Sequence, residues 1–191
     1  MLRGSNCFAA LRQIRSIRKC VPRQVLVSLV VSIVLSRLDY GNATLAGLPG
    51  YLIDRLQSVL SAAARLVNPV GKFEHVTPLL RDLHWLRFDQ RVEFKLAVLV
   101  YRCLNDQGPP YLASDLHRIA DLNTRRRLCS SSSDVLTVPL TRLSTVGDRA
   151  FPVAAAWVWN SLPSSVTSSP SLSTFERNLK TELFARSYPA R

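Results

Sequence analysis

The sequence has no glycine-rich phosphate loop; its seven glycines are scattered singly, as helix ends and turns require. HExxH and GxSxG are missing, as is any Asp-Asp pair of the kind that holds two metal ions. The three histidines, His75, His84 and His117, stand alone, and His84 beside Trp85 reads as a packed or capping residue rather than a general base. Asp82 and Asp89 read as solvated helix positions. Cysteine is scarce: Cys7, Cys20, Cys103 and Cys129 lie 13, 83 and 26 residues apart, with no CxxC. That spacing suits reduced thiols in an intracellular protein and argues against a zinc site. No cofactor or metal is expected, and no catalytic residue is assigned. The longest apolar run, Val25 to Leu35, is 11 residues, well short of the ~20 that span a bilayer. It begins too late, after too many charges, for a secretory signal. Asn42-Ala43-Thr44 matches a glycosylation sequon, which without such a signal reads as chance. A nuclear or cytoplasmic setting is expected, with no membrane.

Acid is absent from residues 1–38, which carry Arg3, Arg12, Arg15, Arg18, Lys19, Arg23 and Arg37. The whole chain of 191 residues has a net charge of +12, and residues 39–191 hold 18 basic and 13 acidic side chains. The surplus is therefore concentrated at the N-terminal end. A basic terminus on a moderate domain points to a polyanion, either nucleic acid or an anionic membrane face; a merely solubilising face is the plainer reading.

What is present is helical periodicity. The stretch 88–105 is apolar nearly all round: Phe88, Val92, Leu96, Leu99 and Cys103 form one face, widened by Val100 and Leu104. Arg87, Arg91, Lys95 and Arg102 form a narrow polar strip. Such a helix has to be wrapped by others, so the fold is expected to be mostly α, a bundle around this element. Thr77-Pro78 is expected to cap a short helix before it, and Gly108-Pro109-Pro110 to stop it.

Residues 7–20 read as an amphipathic helix, with Cys7, Ala10, Leu11, Ile14, Ile17 and Val21 on one side. Arg12, Arg15, Lys19 and Arg23 form a basic stripe nearly opposite, and Arg18 lies at the edge. After Pro22 a second helix is expected over 23–37, its Ser28, Ser32 and Ser36 row letting another helix come close. Further helices are expected over 51–67 (Leu52, Leu56, Val59, Leu60, Ala63 and Leu66 or Val67 inward), 110–119, 152–160 and 174–185. A Ser173–Glu176 capping box is expected to start the last, with Leu172, Phe175, Leu179 and Leu183 as its stripe. Arg125, Arg126 and Arg127 lie before a serine run and read either as a linker or as a second phosphate contact. β-branched residues around Leu140-Thr141 predict a small hairpin near 135–146. Trp157 and Trp159, about 200° apart on a helix, cannot both face one core.

Several strings occur in a telling order: LSRLDYGNATLAGLP (35–49), LQSVLSAAARLVNP (56–69), HVTPLLRDLHWLRFDQRVEFKLAVLVYRCLN (75–105), GPPYL (108–112), VPLTRLSTVGDRAFPVAAAWVWNSLP (138–163) and SLSTFERNLKTELF (171–184). From about Leu11 to Phe184 the chain resembles the segment downstream of the polymerase core in reverse transcriptases of non-LTR (LINE-type) retrotransposons, of the jockey-like and chicken-repeat-like kind. Arg87, Asp89 and Ala156 stand where that pattern would have proline, a basic residue and proline. The resemblance implies that residues 1–40 form a thumb-like basic helical pair, 41–121 a helical core, and 122–191 a linker, hairpin and C-terminal helices. It also implies a parent RNA-directed DNA polymerase whose palm aspartates are not in this sequence. The partners it implies are RNA or RNA–DNA duplex backbone, and the palm of a full-length element. Arg12, Arg15, Lys19 and Arg23 suit successive phosphates, contacts that position rather than specify. Phe8 is the only ring nearby, so stacking on single-stranded bases has little support. The alternatives are a helical protein-interaction module and a retroelement remnant with no selected function.

Overall fold

In a computed structural model the protein is described over residues 2–68, 74–121, 134–143 and 147–189. It divides into two compact units that interleave along the chain: Met1–Asn42, Leu48–Arg91 and Phe184–Arg191 form the first, Ala43–Gly47 and Val92–Leu183 the second. The described residues are mostly helical, and none belongs to a sheet.

In the first unit, α1 (Leu2–Ile17) packs on α4 (Gly50–Val67). The inward face of α1 is Cys7, Ala10, Leu11 and Ile14; Val59, Leu60, Ala63, Ala64, Leu66 and Val67 are buried on α4. Ile17, expected inside, is 42% exposed at the last residue of α1, just before the 3-10 turn Arg18–Cys20. After Pro22 the chain resumes as α2 (Arg23–Leu29), a π-helical stretch Val30–Leu35, and α3 (Ser36–Asp39). The serine row does not receive a helix. Ser28, Ser32 and Ser36 are exposed, and their hydroxyls donate back to the carbonyls of Gln24, Leu29 and Ser32. Such back-bonding competes with the i→i−4 ladder and accompanies its loosening into a π stretch.

Pro78 opens α5 (Thr77–Asp82), but Val76 holds the capping position and Thr77 lies inside the helix without a capping bond. The other end is built as a Schellman motif. His84 takes φ 55°, its N–H reaches Arg81 O, and the Trp85 N–H reaches Leu80 O. His84 is thus a cap, as its sequence context indicates, and its ring leans on Phe184 at 5.8 Å. Tyr188 donates to the Trp85 carbonyl at 2.7 Å, tying down the end of the last helix.

The helix α6 (Phe88–Leu104) starts in the first unit and continues in the second. Phe88, Val92, Leu96, Ala97, Val98, Val100, Tyr101 and Cys103 are buried along it. Arg87, Lys95 and Arg102 face solvent as the strip predicts. Arg91 does not: it is half-buried and forms a salt bridge with Asp39. The C-terminal end of α6 repeats the Schellman motif, with Asp106 at φ 57° and the Gln107 N–H on Arg102 O. Gly108 follows because a Cβ there would lie 2.6 Å from Cys103 Sγ and 2.9 Å from Cys103 backbone atoms.

In the second unit Phe175 is the hub. It stacks on Tyr101 (4.4 Å) and on Trp159 (5.9 Å), and Tyr101 Oη donates to Ser169 O at 2.9 Å. The α8 helix (Phe151–Asn160) buries Val153 to Ala156 and Trp159, whereas Trp157 is exposed, resolving the opposition of the two indoles. On α10 (Leu172–Ser187) Phe175, Leu179 and Leu183 are wholly buried, and Leu172 only partly. Its cap is Ser171 rather than Ser173: Thr174 N–H donates to Ser171 Oγ at 3.3 Å.

The expected hairpin near 135–146 does not form among the described residues. Among its described residues Leu136 makes an isolated antiparallel bridge to Arg118; residues 144–146 lie outside the described set. Ile119 N–H donates to Val135 O and Thr137 N–H to His117 O, both at 2.9 Å. The Asn160 carboxamide takes the Leu136 N–H at 2.9 Å and gives a hydrogen bond to its carbonyl at 2.8 Å. A side-chain amide thus stands where a second strand was expected. The same pairing shortens the 110–119 helix to α7 (Pro110–Ala113), because His117 and Ile119 give their backbone groups to the 135–137 segment. A single turn, α9 (Ser164–Thr167), lies between α8 and α10.

Candidate nucleic-acid interface

All four stripe cations, Arg12, Arg15, Lys19 and Arg23, are exposed, and Arg18 is half-buried at the edge. They come from three consecutive pieces of backbone: α1 supplies Arg12 and Arg15, the 3-10 turn Lys19, and α2 its first residue, Arg23. At 1.5 Å per residue Arg12 to Lys19 covers about 10 Å. That is comparable to about three phosphate-to-phosphate steps along the axis of one strand. Arg15 lies in the last turn of α1, where the helix dipole favours a cation. Arg125, Arg126 and Arg127 lie outside the described residues.

Arg23 is not free to wander. Its Nε and Nη2 donate to Asn68 Oδ1 at 3.2 and 3.0 Å. Nothing in the sequence marks Asn68, since the partners lie 45 positions apart. Arg91 makes the same kind of two-point contact with a different result: Nε donates to Asp39 Oδ1 at 2.8 Å, Nη2 to Oδ2, and the carboxylate cancels its charge. Asp39 Oδ1 also accepts from Asn42 Nδ2 at 3.0 Å. Asn42, the sequon asparagine, is 1% exposed, so the folded chain offers it to no glycosyltransferase.

Two of the thiols, Cys7 and Cys103, are buried. Burial pushes Cys7 above the ordinary thiol range, with the Arg37 guanidinium pulling weakly the other way, and burial alone raises Cys103. Cys20 is exposed, and these three cysteines are unpaired. Among the described residues no group of three or more His, Cys, Asp or Glu side chains is placed to hold a metal ion. No described helix is long and apolar enough to cross a membrane. No protein family, no curated protein and no solved structure matches this chain.

Proposed function

We propose that the chain is a non-catalytic segment of a retroelement RNA-directed DNA polymerase that lays a cationic helix face along nucleic-acid backbone. The partner in this reading is the RNA–DNA template–primer duplex. One observation carries it: Arg12, Arg15, Lys19 and Arg23 are all solvent-facing, within a 38-residue stretch that has no carboxylate to neutralise them. The ordered strings from Leu35 to Phe184 support the parentage. Any polymerisation belongs to the palm of the parent protein, a second partner in this reading; the segment's contribution is position and affinity.

Each phosphate met by a lysine or arginine releases condensed counterions, so affinity falls with salt in proportion to the number of contacts. Four contacts predict a log–log slope of about −3 to −4 for an RNA–DNA duplex. Changing Arg12, Arg15, Lys19 and Arg23 together to Ala is expected to flatten it. A slope that survives the fourfold change places the contacts elsewhere.

A second reading, a helical protein-interaction module, is favoured by Phe8, Ile17, Val25 and Val31, each 42–44% exposed on the same N-terminal helices. Under it the chain self-associates regardless of salt and ignores the duplex.

A further inference from the structure

We propose that Asn68 is a positioning residue of the basic face: it holds the Arg23 guanidinium so that the remaining edge meets a backbone phosphate. This rests on the nucleic-acid reading above. A guanidinium has five N–H donors, and Asn68 Oδ1 accepts from only two groups, Nε and Nη2. The donors left over belong to an exposed side chain. Because the holding partner is a neutral amide, the positive charge is undiminished, in contrast to Arg91 against Asp39. Asn68 is itself fixed at the C-terminal end of α4, its N–H on Ala64 O at 3.0 Å.

The placement of Arg23 points the same way. It is the first residue of α2, a helix N-terminus, where the dipole disfavours a cation. Its Asn68 anchor lies at a helix C-terminus, where the dipole favours one. A guanidinium steered by a neutral acceptor and kept charged is pre-ordered for an anion, so little side-chain freedom is lost on binding.

The test is the salt dependence of full-chain binding to a short RNA–DNA hybrid. Asn68→Asp puts a carboxylate on Arg23, and the slope is expected to become shallower by about 0.9, the share of a single phosphate. Ser58→Asp, on an exposed position of the same helix, adds the same charge and should leave the slope alone. Asn68→Ala keeps the slope while weakening binding about 3-fold to 10-fold, the loss expected when one long side chain is no longer pre-ordered. Arg23→Ala, which leaves the α4 terminus untouched, should reproduce the 0.9 change even if an Asn68 variant fails to fold. If Asn68→Asp behaves as Ser58→Asp does, or Arg23→Ala keeps the full slope, the assignment of Asn68 is overturned while the other cations still support the interface. A wild-type chain indifferent to the duplex overturns both.

Discussion

Arg23 and Arg91 carry the same guanidinium into opposite surroundings, and the difference decides what each can do. Arg91 is half-buried, and Asp39 is its counter-ion and also the acceptor for Asn42 Nδ2. Removing the carboxylate strands a charged donor and an amide donor at once. Asp39→Ala is therefore expected to destabilise by about 3 kcal/mol, the range for breaking a partly buried pair from one side. Asp39→Asn, which keeps an acceptor oxygen, should cost about half that. Urea unfolding measures both, and equal, small losses would show that the pair contributes no more than a surface contact. Neither arginine's role was legible in the sequence: helical phase placed Arg91 in a polar strip, while its partner lies 52 residues away. Phase gives the side of a helix, not what the chain later brings against that side.

Elements were legible where periodicity was long. The apolar stripes on α4, α6 and α10 mark helices that form with those faces inward, since burying a continuous stripe outweighs local preference. Short pairings, and some of the ends, were not. Ser173–Glu176 has the composition of a capping box, yet the cap sits two residues earlier, on Ser171. Ser171→Ala should accordingly cost about 1 kcal/mol in thermal or urea unfolding and Ser173→Ala next to nothing; the reverse order would return the cap to Ser173. The hairpin failed for a related reason. The β-branched Val135, Thr137 and Val138 report an extended segment but not its partner, and the partners are His117–Ile119 and the Asn160 amide. At the far end of α10, burial pushes the Tyr188 phenol up to about 12, opposed weakly by Arg87 and assisted by Asp89. The folded pKa thus lies above the unfolded value of about 10. Between those values the unfolded chain loses the proton first, so the Tyr188 contribution is full below about pH 10 and is lost as pH rises toward about 12. Tyr188→Phe should remove that part of the alkaline decline while costing about 1 kcal/mol at neutral pH through the missing bond to Trp85 O. Urea midpoints measured against pH for both proteins decide it; parallel curves would exclude the phenol.

At the scale of the whole molecule the question is whether a patch or the total charge binds. A chain at +12 is attracted to any polyanion, so salt-dependent binding alone does not locate a site. The distribution separates the two cases. Arg12, Arg15, Lys19 and Arg23 follow one another closely along α1, the 3-10 turn and the start of α2. Arg102, Arg142, Arg177 and Lys180 are equally exposed but are scattered over α6, a loop and α10 of the second unit. Changing either set of four to Ala removes the same charge from the same protein. Long-range attraction falls off over about 10 Å at 0.1 M salt, so at that ionic strength a charge that touches no phosphate contributes little, whereas one that does still counts in full. The first variant is therefore expected to lose most of the slope, about 3 units, and the second to lose less than about 1. If the two variants weaken duplex binding equally and with the same slope, the chain binds through its overall charge. The N-terminal stripe is then only one part of a generally basic surface.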